Sequence, residues 1–290
     1  MIALLFGVSV GLRKLLHSGT SAPGAAPSSS NRVATGNPTP SLSVATPLFT
    51  AADPFAGSPA ASFADGAAGI VLPTARAHGQ FTAAQVAAAY QVVKGLLIAG
   101  NLNWPTLRGN KPRAFGNRLI PQQHQWFYGN LARTGLTTKG VARTSRLWVT
   151  SFARGTTQFV GTVIKVHGLP MSAAAVHSQG RIVLRIFADY LFVYAVEQPG
   201  VPASRMRVVA RMEYTVDFAQ WNDPGGQLEP WAFMVNSSDA GGQCGVTDGY
   251  VHPEFPQSSA GSVAPTGKPV NPYDLSIPQR TGSCQRTTGT

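Results

Sequence analysis

RIVLRIFADYLFVYAVE, residues 181–197, and RVVARMEYTVDF, residues 207–218, alternate with a period of two. Ile182, Leu184, Ile186, Ala188, Tyr190, Phe192, Tyr194 and Val196 share one side of the first segment, with Arg185, Asp189 and Glu197 on the other. Val208, Ala210, Met212, Tyr214, Val216 and Phe218 repeat the pattern against Arg207, Arg211, Glu213 and Asp217. Successive side chains of a strand point to opposite faces, so this pattern predicts two long strands with one apolar face on a core and a polar face toward water. The linker QPGVPASRM, residues 198–206, has the length of a hairpin loop, and a turn at its midpoint sets Glu197 opposite Arg207. Just upstream, RLWVTSF (146–152) and QFVGTVIKVHG (158–168) read as two more strands.

Before residue 146 the apolar period is closer to 3.6. Thr82 and Gln85 form a T-x-x-Q capping box, flanked by Phe81 and Val86 as a hydrophobic staple. The helix they open is expected over residues 83–99, with Gly100 as its stop and Val86, Tyr90, Val93 and Leu97 on the inward face. Asn103 and Pro105 mark the start of a shorter helix, and LIPQQHQWFYGNLA (119–132) forms a third apolar cluster. Helices followed by a long antiparallel sheet predict an α+β domain over residues 66–221, its helices covering one sheet face. Residues 222–290 carry many turn signals and few periodic runs, and read as a loop-rich extension anchored by Trp221, Trp231 and a disulfide.

The segment MIALLFGVSVGL, residues 1–12, is uninterruptedly apolar and ends at Arg13 and Lys14. As a helix it spans only about 18 Å, short of the roughly 30 Å bilayer core. It admits two readings, an export signal or membrane anchor over residues 1–18, or a buried helix of a cytosolic fold. The Ser/Pro/Ala-rich stretch that follows favours the first, because such a composition forms no core and suits a tether over residues 19–65. The positive charge comes after the apolar run, whereas a signal ordinarily carries it before. Cys244 and Cys284 both lie in Gly/Pro-rich surroundings; a disulfide between them suits an oxidising compartment, against the competing reading of Cys244 as a nucleophile helped by His252.

The tethering segment, the amphipathic helices and the long strands in VGTVIKVHG, GRIVLRIFADYLFVYAVEQPG and MRVVARMEYTVDF together resemble the cystatin-like or nuclear transport factor two-like fold, over roughly residues 80–221. The resemblance implies a long, curved antiparallel sheet. It also implies a single-pass exported protein of the actinobacterial kind, with relatives among accessory proteins of lipid-import systems and scaffolds of conjugation machines. The same fold carries both enzymes and scaffolds, so it does not assign an activity.

Charge is unevenly placed. The chain has 23 basic and 12 acidic side chains, net +11, yet residues 66–188 hold fourteen basic residues and no acidic one. Arg108, Lys111, Arg113, Arg118, Arg133, Lys139, Arg143 and Arg146 form its densest run. Three readings follow: charge answered by the acidic carboxy-terminal region, contact with an anionic membrane, cell wall or partner protein, or nucleic-acid binding helped by Trp104, Phe115, Trp126, Phe127 and Tyr128. The aromatic cluster is more simply core, and no nucleic-acid motif accompanies it. The six histidines form no close pair or H-E-x-x-H, and there is no phosphate-binding loop, G-x-S-x-G or dinucleotide fingerprint, so neither a metal site nor a cofactor is predicted.

One enzymatic constellation stands out: His167, Arg185 and Asp189, on adjacent strands, could converge on one sheet face as acid and base. The competing reading places them on a solvated face. The expected function is a non-enzymatic, membrane-tethered, extracytoplasmic interaction or assembly module of a secretion, conjugation or transport complex. The alternatives are a small-molecule-binding or enzymatic domain with a cone-shaped cavity, and a nucleic-acid-binding protein.

Overall fold

Thr82 opens the first helix, α1 (Ala83–Asn101): its hydroxyl accepts the Gln85 amide while the Gln85 side chain accepts the Thr82 amide, completing the box. Val86, Tyr90, Val93 and Leu97 are buried as expected, but the helix runs through Gly100. Its end is satisfied by tertiary partners: the Tyr194 hydroxyl donates to the Asn101 carbonyl at 2.9 Å, and Thr150 donates to the Asn101 side chain at 2.8 Å. Replacing Thr82 by alanine removes the box and is expected to cost about 1 kcal/mol in urea unfolding, with an unchanged m-value.

These features come from a computed structural model that describes residues 49–138, 142–221, 227–256, 264–279 and 284–288. The predicted anchor (residues 1–18) and the tether up to residue 48 lie outside the described residues. Three short helices follow α1: α2 (Trp104–Leu107), capped by the Asn103 side chain, α3 (Arg113–Gly116) and α4 (Pro121–Asn130). The sheet contains β1 (Ala64–Asp65), β2 (Gln158–Gly168), β3 (Ser172–Ser178), β4 (Arg181–Gln198), β5 (Val201–Ala219) and β6 (Glu229–Ala240). Its order is β1-β2-β4-β5-β6, all antiparallel, and β3 takes the part of the β4 edge that β2 leaves free. A short parallel pair, β7 (Thr266–Val270) and β8 (Gln285–Thr287), lies in the carboxy-terminal extension. The α+β class is as expected.

The inner face matches the alternation. Leu184 to Val196 on β4 and Val208 to Phe218 on β5 pack at every second position against α1 and the short helices. Only Ile182 departs, exposed at the start of β4. The β4–β5 turn is tighter than the linker suggested. Pro199 and Gly200 (φ +76°) form the corner between Gln198 and Val201, as a Pro-Gly pair at the centre of a type II turn should. Arg207 therefore faces Ala195, and Glu197 pairs instead with Arg205 at 2.9 Å.

Two segments differ from their expected conformation. RLWVTSF is not a strand: Ser145–Trp148 is a 3-10 turn capped by Thr144, and the backbone beyond it bonds to helix ends, Thr150 to Gly100 and Phe152 to Leu107. Residues 229–240, expected to be loop, are the edge strand β6. The exposed edge is blunted where the Gln123 amide of α4 both donates to and accepts from Ala232, each at 2.9 Å.

The outer face is not the solvated surface its polar residues suggested. Leu191, Val193, Ala195 and Val209 form a second core with Phe55 and Ala60 from one end of the described chain and Tyr273 and Leu275 from the other. Residues 49–65, assigned to the tether, are thus part of the fold. Arg207 holds them through the Pro54 and Ala56 carbonyls, at 2.9 and 2.6 Å. Arg211 reaches the other cover through the Leu275 and Ile277 carbonyls.

Candidate functional site

The basic run divides by environment. Arg108 is exposed at the end of α2, its guanidinium 5.4 Å from the Trp104 ring centre. Lys111 is exposed and lies 4.1 Å over the Tyr128 ring; Arg113 begins α3, also exposed. Arg118 lies along α1 where Gly95 leaves room, since a Cβ there would come within 2.6 Å of its guanidinium. The Trp104 and Tyr128 rings thus hold Arg108 and Lys111 without neutralising them. Arg133 and Arg143 are exposed farther along, with Arg143 donating to the Leu136 carbonyl, and Lys139 lies outside the described residues.

Arg146 does not belong to that surface. It is only 6% exposed, stacked 4.1 Å under the Tyr250 ring and donating to Ser151. Burial pulls its guanidinium below the ordinary arginine pKa, against the opposing pull of Tyr250 and Asp248. It clamps the carboxy-terminal extension to the helical layer.

The ion pairs show where the acidic groups go. Among the described residues they join Lys165 to Asp65, Arg185 to Asp217, Arg205 to Glu197, Arg211 to Asp189 and Glu213, and His252 to Asp248. Asp189, Glu197, Glu213 and Asp217 therefore answer Arg185, Arg205 and Arg211 of the sheet, and none of these pairs includes Arg108, Lys111, Arg113 or Arg118. The aromatic residues interleaved with the basic run face the core. Phe115 and Phe127 are fully buried, Trp104 packs edge-on to Phe159 at 5.1 Å, and Trp126 lies 5.0 Å from Trp148.

His167, Arg185 and Asp189 share the outer sheet face but do not converge. Arg185 makes a two-pronged pair with Asp217 at 2.6 and 2.7 Å, and this hydrogen bonding raises its pKa. Asp189 makes the same kind of pair with Arg211, at 2.9 and 2.6 Å. His167 stacks on Phe63, ring centres 4.7 Å apart. Each predicted member is held by a different partner, so the acid–base constellation does not form. The space between α1 and the sheet, where the enzymatic alternative expects a cone-shaped cavity, is filled by Leu96, Leu97, Tyr194, Tyr214, Phe115 and Phe127.

Cys244 and Cys284 form a disulfide, which removes Cys244 as a nucleophile, and His252 bonds to Asp248 at 3.0 Å. Among the described residues no three His, Cys, Asp or Glu side chains gather to hold a metal ion. Helix α1 is long and apolar enough to cross a membrane, but its buried face packs on the sheet, as in a core helix. Comparison with family models, curated proteins and solved structures finds no match for this chain.

Sequence reasoning did not single out a cleft of about 400 Å³ where the end of β2 meets residues 62–73. Its walls join the end of β2 and Tyr190 of β4 to the aperiodic residues 62–73, a conjunction that no single segment reveals.

Proposed function

We propose that this chain is a non-enzymatic assembly module of the cystatin-like or nuclear transport factor two-like kind, tethered to a membrane by residues 1–18 and working outside the cytoplasm. Its α2–α3 corner contacts an anionic membrane surface or partner. The observation that carries this reading is the contrast in charge pairing. The sheet arginines Arg185, Arg205 and Arg211 each meet a carboxylate, whereas Arg108, Lys111, Arg113 and Arg118 stand exposed within eleven residues and form no ion pair among the described residues. Clustered uncompensated charge repels itself and is relieved by an anionic partner. Helices that precede a long antiparallel sheet and cover one of its faces support the fold assignment, and the disulfide suits an oxidising compartment.

The test is co-sedimentation of the full chain with host membranes. The intact protein should stay bound at high salt through residues 1–18. A form lacking them should bind only at low salt, and the further changes Arg113→Glu and Arg118→Glu should weaken that residual binding about tenfold or more. Retention of the shortened form at high salt would refute the tether. Indifference to charge reversal would refute the role of the corner.

A further inference from the structure

The main sheet ends on β1 and β2, on β6 and on β3, and the first two margins are blunted. β1 is two residues long and carries the Asp65–Lys165 pair, and the rest of the β2 edge is bent by the register shift between Phe159 and Ile164, with Gly161 at φ +76°. β6 carries Glu229, Pro230 and Asp239 and is clamped at Ala232 by Gln123. β3 has none of these devices. Its seven residues, SAAAVHS, include no Lys, Arg, Asp, Glu or Pro, and they pair with β4 in unbroken register, from Ser172 opposite Phe187 to Ser178 opposite Arg181. Among the described residues, β3 has no strand partner but β4 and no backbone hydrogen bond from a loop. Phe187, 36% exposed, and Ile182, 40% exposed, pair with the two ends of β3 on opposite faces, so this margin is uncovered on both sides.

A row of unpaired backbone groups is a template for another strand, and the side chains beside it select which one. A peptide added to an edge draws its specificity from pockets for alternate side chains. Here the outer side offers only Ser172, Ala174, Val176 and Ser178, too small to wall a pocket. The inner side is narrowed at Ala175 by the His78–Phe81 turn, where a Cβ on Gly79 would come within 2.9 Å of the Ala175 Cβ. β3 itself meets these limits. Paired antiparallel with its own copy about Ala175, it sets Ala175 against Ala175, Ala174 against Val176, Ala173 against His177 and Ser172 against Ser178. No like charges oppose, and the side chain brought beside the turn is a methyl group. Charge points the same way. Residues 66–188 hold fourteen basic residues and no acidic one, so two copies repel over most of that surface, whereas β3 is a neutral strip within it. Arg185 beside it is paired with Asp217, and antiparallel pairing keeps the two copies of Arg181 at opposite ends.

We infer that β3 is a self-association edge: two copies of this chain pair β3 with β3, antiparallel about a twofold axis at Ala175, and join their sheets into one. A strand of seven residues is about 24 Å long. The pairing therefore buries on the order of several hundred Å², less than the roughly 1,200 to 2,000 Å² of a stable standard interface, and the dimer is reversible. This surface is separate from the cationic corner and does not rest on the membrane-contact reading.

The test uses the full chain, its native disulfide formed, carrying Ser172→Cys and Ser178→Cys together. Residues directly opposite in an antiparallel pair have Cα atoms about 4.5 to 5.5 Å apart, within reach of a disulfide. Mild oxidation of host membranes, and of the purified chain, should link two copies between positions 172 and 178, as read from peptide masses. Either single variant should link at least about tenfold less, because its two new thiols lie at opposite ends of the paired strands. Adding Ala174→Lys, at an exposed position, should cut the linking about tenfold or more while the near-ultraviolet circular dichroism of the buried aromatics stays native. Links between two copies of position 172, or of position 178, would mean parallel pairing and would overturn the twofold. Linking to a protein of another mass in place of a second copy would assign the edge to a different partner and overturn self-association. Undiminished linking in the Ala174 variant, or no linked dimer from the purified chain at millimolar concentration, would overturn the proposal outright.

Discussion

Replacing Asp189 by alanine should lower stability by about 3 to 5 kcal/mol, the range for removing one partner of a buried pair. Asp189 is 3% exposed and takes two bonds from Arg211, whose side chain is itself largely covered. Without the carboxylate, the guanidinium keeps the Leu275 and Ile277 carbonyls and the more distant Glu213, at 3.4 Å. Those contacts do not compensate a buried positive charge, so the outer cover should loosen together with the global loss. The double variant Asp189→Leu with Arg211→Met should recover most of the stability, because an apolar pair of similar size needs no desolvated charge. Urea unfolding of the two single variants and the double provides the cycle. An Asp189→Ala midpoint shifted by less than about 1 kcal/mol would show that the pair contributes no more than a surface one.

Removing the disulfide by Cys244→Ser and Cys284→Ser should cost about 3 to 4 kcal/mol on the loop-entropy account, for a separation of 40 residues. The effect should be concentrated in the extension. Tyr273 and Leu275 lie within the closed loop and complete the outer core, whereas β4 and β5 are held by the inner core as well. Limited proteolysis of the double variant should therefore cut first beyond Asp239 and spare the central hairpin. In the native chain both thiols should escape alkylation until a reductant is added. Thiols that label without reduction would contradict the disulfide and would favour a reducing compartment.

The parts of the fold legible in the sequence are those whose burial follows from a single periodic segment. β4 and β5 show their inner face at every second residue, and α1 shows its start through Thr82 and Gln85. β3 did not stand out because SAAAVHS offers no strong apolar face, and β6 because Pro230 and the run Asn236 to Asp239 look like loop while forming a polar edge. The segment around Trp148 has strand-like composition, but its hydrogen bonds go to helix ends, which no local pattern reveals.

The outer face is illegible for a deeper reason. Alternating arginines and carboxylates read as solvated side chains, and only the partners brought in by residues 49–65 and 270–279 turn them into a buried ladder. The same limit applies to the candidate site. The basic run was legible as charge, and four of its members are the exposed corner. Arg146 was not separable from them, because its burial depends on Tyr250, which comes much later in the chain.

The double cover of the outer face also sets an order of events in time. Arg207 reaches back to residues 54 and 56, and Arg211 reaches forward to residues 275 and 277. A chain delivered from its amino terminus has the first strap in hand before the central hairpin exists, but must wait for the second until residues 275 and 277 have followed the hairpin out. The hairpin zips from neighbouring residues, while its closing seal comes from distant ones and is correspondingly slow. During that interval the strip around Leu191, Val193 and Val209 is only half covered, so the nascent protein is adhesive between the emergence of the hairpin and the arrival of the second strap.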